Sequence, residues 1–193
     1  MSIVIIKYNA GNIHSVKIAL NRLGRDPLIS DDPDTIRSAE KVIFPGVGEA
    51  STAMEYLSKK NLTNVIRGLK QPFLGICLGL QLMCAYSEEN KTTCLNVFDV
   101  QVKKFPPKDK VPHMGWNDIF GLSGPLFDQI PEGSFVYFVH SFYAETSPET
   151  IATGNYILPF SAGLHKDNFY ALQFHPEKSG KTGEQILRNF LAL

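Results

Sequence analysis

The chain opens on a short β-branched run, Ile3 to Ile6, the pattern of a parallel strand buried on both faces. After a predicted turn at Ala10-Gly11-Asn12, with Asn12 as the N-cap candidate, Ile13, Val16, Ala19, Leu20 and Leu23 recur at helical spacing until Gly24 stops them. The alternation then repeats. Strands are predicted at Pro27 to Ile29, Lys41 to Phe44 (ended by Pro45-Gly46-Val47-Gly48) and Phe73 to Ile76. Helices are predicted around Glu49 to Leu57, Leu62 to Leu69 and Leu78 to about Tyr86. Strands alternating with helices predict right-handed crossovers and a parallel sheet.

From Leu95 to Ala171 the pattern changes. Short alternating strands are predicted at Val97 to Phe105, Trp116 to Phe120 and Phe135 to His140, among most of the prolines and aromatics, as in an antiparallel section. A buried strand returns at Phe169 to Phe174. The chain closes on a helix from Thr182 to Leu193, with Thr182 and Gln185 at capping-box spacing and Ile186, Leu187, Phe190 and Leu191 on one face. The expected fold is an α/β open, mostly parallel sheet flanked by helices, with an added antiparallel section, in a single domain over residues 1–193.

Composition narrows the function classes. The 193 residues are 44% apolar and 20% charged, ordinary globular usage. A chain of this size buries roughly 70% of its unfolded surface and needs no disulfide staples. Nineteen basic residues balance nineteen acidic ones, so binding nucleic acid or a membrane surface by bulk charge is not expected. Cys77, Cys84 and Cys94 form neither a disulfide framework nor a zinc pattern. No signal peptide is visible, and the most apolar stretch, Phe73 to Tyr86, is too short to span a bilayer. A cytoplasmic protein without metal or cofactor is expected.

The strongest local signal is Gly75-Ile76-Cys77-Leu78-Gly79, between a buried strand and a helix. A G-x-nucleophile-x-G turn takes the chain from strand to helix within a few residues, and larger flanking side chains would obstruct it. It would present the sulfur at the carboxyl end of the sheet, beside a helix N-terminus whose partial positive charge favours an anion. Taken alone, the pentapeptide also fits an inert buried cysteine.

A second signal is Gln173-Phe174-His175-Pro176-Glu177, ending the last predicted strand. Pro176 biases His175 toward extended backbone, in which residues two apart face the same side. Glu177 then reaches one imidazole nitrogen and leaves the other for a thiol. Alone, H-P-E also fits a solvated turn. Together, both signals fall at carboxyl ends of predicted parallel strands, where such sheets bind ligands. An acyl-transfer site also needs oxyanion donors. The backbone N–H of Leu78 is one candidate and that of Val47, or a neighbour in the glycine-flanked turn, another, although that turn could equally be an ordinary one. His14 and His165 are expected to be solvated, and His113 and His140 to be structural histidines among Trp116, Phe138 and Phe142.

These segments, with Tyr8-Asn9-Ala10-Gly11-Asn12, Pro112-His113-Met114-Gly115-Trp116-Asn117, Tyr137-Phe138-Val139-His140-Ser141-Phe142 and His175-Pro176-Glu177-Lys178-Ser179-Gly180, span essentially the whole chain. It resembles the class I (triad-type) glutamine amidotransferases, and among them the glutaminase subunits of imidazole glycerol phosphate synthase. The resemblance implies that Cys77 attacks the side-chain amide of glutamine to form a thioester. His175 would protonate the departing ammonia and then activate water, oriented by Glu177. It implies glutamine contacts at Gly48, Gln81, Ser141 and Phe142. It further implies a heterodimer with a (β/α)8-barrel cyclase subunit that receives the ammonia, met at Trp116, Tyr137 and Lys178, in histidine biosynthesis. One departure stands out: Lys7-Tyr8-Asn9 replaces the Asp-Tyr-Gly common in that family, which leaves open a paralogue serving a different aminating partner. A free-standing cysteine hydrolase and a decayed, non-catalytic module are the other readings, and the complete set Cys77, His175 and Glu177 speaks against the last.

Overall fold

The computed structural model describes residues 2–8 and 11–193, so the predicted turn residue Ala10 and its neighbour Asn9 lie outside the described residues. The first half runs β1 (Ile3–Ile6), α1 (Ile13–Arg22), β2 (Leu28–Ser30), α2 (Pro33–Ser38), β3 (Lys41–Gly46), α3 (Ala50–Lys59), α4 (Leu62–Gly68), β4 (Phe73–Cys77) and α5 (Leu78–Met83). The second half runs β5 (Tyr86–Ser87), β6 (Thr92–Thr93), β7 (Gln101–Lys104), β8 (His113–Phe120), β9 (Ser134–His140), β10 (Phe142–Ala144), β11 (Thr150–Tyr156), β12 (Leu158–Lys166), β13 (Phe169–Leu172) and α6 (Gly180–Ala192).

One nine-stranded sheet has the order β2-β1-β3-β4-β13-β12-β11-β8-β9. Its pairings are parallel from β2 to β13 and antiparallel from β13 to β9. A four-stranded sheet, β10-β7-β5-β6, lies apart from it. The strand period of two sorts side chains into two cores. Ile3, Ile5 and Ile43 join Val16 and Leu20 of α1 and Ile186, Leu187 and Phe190 of α6. Val4, Ile6, Val42 and Phe44 join Ile36, Leu57, Val65, Ile66 and Leu80 from α2 to α5. Continuous apolar runs in β1 and β3 therefore reflect burial on both faces, as predicted.

Several boundaries differ from expectation, each for a local reason. α2 lies outside the predicted elements; Asp32 caps it, accepting from the Thr35 N–H at 2.8 Å, with Pro33 in the first turn. α5 stops at Met83 rather than near Tyr86, because the returning chain takes its last carbonyls: Leu95 N–H bonds Leu82 O and Val97 N–H bonds Met83 O. Only Gln101–Lys104 of the predicted strand at 97–105 pairs in a sheet. α6 begins at Gly180 with Ser179 in the cap position, so Thr182 and Gln185 sit inside the helix and form no capping box. The hairpin of β11 and β12 is absent from the predicted elements because its tight turn is carried by Ile157 at φ 63°, a residue with no turn signature. His165 is not a solvated turn residue: it lies within β12, half buried, with its ring stacked on Tyr170 at 4.1 Å. His14 is exposed on α1, as expected.

Candidate active site

Cys77 sits where β4 becomes α5, in a strained conformation of φ 54° and ψ −108°. The strain is enforced by packing. A Cβ on Gly79 would lie 2.0 Å from the carbonyl oxygen of Phe44 in β3, and one on Gly75 2.5 Å from Met83 Sδ. The glycines are therefore required because the helix enters against the neighbouring strand with no room for a methyl group. The residue is buried, and Sγ donates toward Val139 O at 3.8 Å. α5 has only six residues, so its terminus gives the sulfur less electrostatic help than a longer helix would.

The candidate base arrives from a distant part of the chain. His175 Nδ1 lies 2.8 Å from Glu177 Oε1, and the two side chains are 1% and 0% exposed. The route is not the expected extended backbone. Pro176–Lys178 forms a 3₁₀ turn, and the carboxylate reaches the ring by curling back. Backbone bonds hold the imidazole in place: His175 N–H donates to Tyr137 O at 2.9 Å, and Ser179 Oγ donates to His175 O at 2.6 Å while accepting from Tyr137 N–H. Asn12, expected as an N-cap, makes no cap bond. Its side chain donates to Glu177 Oε1 and lies 3.3 Å from His175 Nδ1.

With Nδ1 so engaged, Nε2 remains buried and without a hydrogen-bond partner among the described residues. Burial works against a charged ring here. The Cys77 sulfur and then the Glu177 carboxylate outweigh it, and the pKa of His175 is raised to about 10.

A cavity of about 300 Å³ opens in front of the sulfur, lined by Val47, Gly48, Cys77, Leu78, Gln81, Ser141 and Phe142 among others. The oxyanion and glutamine-contact candidates of the sequence are thus gathered on one cavity. The Val47 carbonyl accepts from Gly11 N–H at 3.3 Å, and Gly48 adopts φ 128°. Glu89, which no motif in the sequence points to, also lines the cavity. Burial raises its pKa, against the hydrogen bond from Ala50 N–H, with Glu49 adding to the rise. It stands on a 3₁₀ turn with no local signature. Gln173 enters the sequence reading only as the first residue of a motif, yet it is fully buried beside the Cys77 sulfur.

His113 and His140 are structural, as expected, and the structure shows what they hold. His140 Nδ1 donates to Phe142 O at 2.7 Å, so its Nε2 must accept, and His113 Nδ1 lies 3.0 Å away as the donor. Burial lowers the pKa of His140 to about 3 and that of His113 to about 4, keeping both neutral. The pair fixes the cavity wall at Ser141 and Phe142.

Outside the cavity, Trp116 of β8 pairs with Tyr137 of β9, their rings meeting edge to face at 6.1 Å, and Lys178 Nζ lies 6.0 Å from the Tyr137 ring. Trp116 (55%), Phe135 (56%) and Met114 (62%) are more than half exposed, forming an exposed apolar surface. The three predicted interface residues therefore adjoin one another and the turn that follows His175. Lys7 is exposed at the end of β1. Among the described residues no cluster could hold a metal ion, and no helix is long and apolar enough to cross a membrane.

The family model "Glutamine amidotransferase class-I" matches residues 6–193. The imidazole glycerol phosphate synthase subunit HisH of Bacteroides thetaiotaomicron is 59% identical over 196 residues, covering all of both chains. A HisH of Bacteroides fragilis is 55% identical and that of Yersinia pseudotuberculosis 45% identical, again over the full length of both chains. Among solved structures, a glutamine amidotransferase of Thermotoga maritima is similar with a TM-score of 0.67 and 17% identity, over 100% of this chain and 83% of that one. PurLQS of the same organism gives a TM-score of 0.74 at 16% identity, over 99% and 97%. These two structural likenesses speak to the fold alone.

Proposed function

The chain belongs to the class-I glutamine amidotransferases and, within them, to the HisH subunits of imidazole glycerol phosphate synthase, and from this premise we propose how its residues carry out the glutaminase reaction. Cys77 is the nucleophile, His175 the acid and base, and Glu177 the group that orients it. The observation that carries this reading is the buried His175–Glu177 pair, 2.8 Å apart, coupled to a strained cysteine that faces an open cavity.

Glutamine enters the cavity with its amide toward Sγ. Cys77 gives its Sγ proton to His175 Nε2 and attacks the amide carbon, which forms the C–S bond and places negative charge on the amide oxygen. The Leu78 N–H and, after local adjustment, the Val47 N–H donate to that oxygen. His175, holding a proton on Nε2, gives it to the departing nitrogen as the C–N bond breaks, leaving a thioester. The neutral ring then takes a proton from water, which hydrolyses the thioester to glutamate and restores the thiol. Gly48, Gln81, Ser141 and Phe142 hold the substrate, and the Glu89 carboxylate suits its α-ammonium group.

The ammonia passes to a partner. This partner is a (β/α)8-barrel cyclase that covers the apolar face at Trp116, Tyr137 and Lys178, forming a cytoplasmic heterodimer. The position of this face, beside the turn that carries His175, supports the reading. A dry path is chemically required, since ammonia exposed to water protonates and loses its nucleophilicity. Steady-state glutaminase assays with and without the cyclase and its ligand test the proposal. Slow turnover alone and marked stimulation in the complex are expected; full activity without any partner would count against coupling.

A further inference from the structure

Gln173 lies at the centre of a buried chain of hydrogen bonds whose polarity is fixed from one end. The carbonyl of Phe142 can only accept, and it receives both His140 Nδ1–H and Gln81 Nε2–H, the latter at 3.0 Å. Gln81 therefore presents its nitrogen here, and the same nitrogen donates to Gln173 Oε1 at 3.1 Å. With its oxygen so occupied, Gln173 must turn its NH₂ group the other way. That group lies 3.8 Å from Cys77 Sγ. Gln173 has no exposure to solvent, and its backbone N–H is tied to Ala162 O at 2.9 Å. The amide cannot flip without setting its own NH₂ group against that of Gln81.

We infer that Gln173 is a further catalytic residue, whose side-chain N–H is a fixed hydrogen-bond donor to the Cys77 sulfur and favours the thiolate over the thiol. The inference rests on Cys77 being the nucleophile. When the Sγ proton passes to His175 Nε2, the sulfur loses its contact with Val139 O and gains capacity to accept. Gln173 is already in place to donate, with no reorganisation of the surroundings. The short α5 supplies little of this stabilisation, so a buried amide on the opposite side matters more. Gln81 also lines the cavity, so substrate that touches Gln81 bears on the amide that touches the sulfur.

The test is the pH profile of Cys77 alkylation by iodoacetamide in the full chain, followed by mass spectrometry of the Cys77 peptide, together with kcat and KM for glutamine. In Gln173→Met, which fills the space without a donor, the alkylation midpoint is expected to rise by about one pH unit. Alkylation at neutral pH and kcat should each fall about 10-fold or more, as for loss of a bond to a charged acceptor, with KM changing far less. A folded Gln173→Met with the wild-type alkylation profile would overturn the inference. Should that variant not fold, the side-chain ¹⁵N resonance of Gln173 in the unmodified chain decides. A shift that follows Cys77 ionisation and is absent in Cys77→Ala supports the contact, and a resonance indifferent to pH refutes it. Failure of the underlying reading is distinguishable, because Cys77→Ala would then retain glutaminase activity.

Discussion

The two halves of the proposed catalytic pair are held by different physics. Cys77 is placed by backbone: a φ of 54°, a six-residue helix and two glycines pressed against Phe44 O and Met83. His175 is placed by polar side chains and loop hydrogen bonds from Asn12, Tyr137, Glu177 and Ser179. Steric confinement fails when volume is added. A hydrogen-bonded cradle fails when a donor becomes an acceptor, even at constant shape. The nucleophile should therefore be intolerant of small bulky changes nearby, and the base intolerant of isosteric polar ones.

The largest effect should come from deleting the sulfur. Cys77→Ala is expected to lower glutaminase kcat by about 10⁴-fold or more while circular dichroism stays native, since the methyl group fits the same backbone. Appreciable turnover in that variant would remove the nucleophile from the comparison. Next comes Glu177→Gln, which keeps the shape but removes the negative charge that Nδ1 faces. The ring then loses the carboxylate that stabilises its protonated form, so kcat should fall by about 10²–10⁴-fold with little loss of stability. A near-normal rate would mean that orientation alone suffices.

Gly79→Ala probes the steric half. A Cβ 2.0 Å from Phe44 O forces β3 and α5 apart, at a cost of about 3 kcal/mol in urea unfolding, and activity should fall with it. A stable, active variant would show that the elbow has slack.

The smallest effect is in the pH dependence of stability. His140 and His113 have folded pKa values of about 3 and 4, below the ordinary 6.5, so the unfolded chain takes up protons that the folded one refuses. Their contribution is complete above pH 6.5 and is lost as pH falls toward 4. His175, raised to about 10, has the opposite sign: its contribution is complete below pH 6.5 and is lost as pH rises through about 10. Urea titrations at pH 5, 7 and 10 should show a maximum near neutrality, with His140→Gln flattening the acid limb. An unchanged acid limb in that variant would contradict neutral buried histidines.

How much of this could be read from residues alone follows the same division. The elbow was legible because strand, glycine, cysteine, glycine and helix are contiguous, and their spacing is itself the constraint. H-P-E was legible as chemistry but not as geometry: a 3₁₀ turn, not an extended segment, brings Glu177 to the ring. Asn12, Glu89 and Gln173 were invisible as site residues because their roles depend on partners up to 165 positions away. Neither their type nor their local spacing announces such a contact. The hairpin at Ile157 was hidden for the opposite reason, a turn made by a residue that ordinarily avoids one. The parallel half, with its alternation of β-branched runs and amphipathic helices, was nearly complete from pattern alone, apart from the six-residue α2.

The seating of the turn that follows His175 has a consequence for the solubility of the chain. β9 ends the nine-stranded sheet, and an outermost strand offers a row of unpaired peptide groups on which a foreign strand can grow. At Tyr137 that row is interrupted: its N–H is taken by Ser179 and its carbonyl by His175. The segment that delivers the imidazole thus also acts as a plug against fibrillar addition, so that damage to Ser179 would harm activity and colloidal behaviour together.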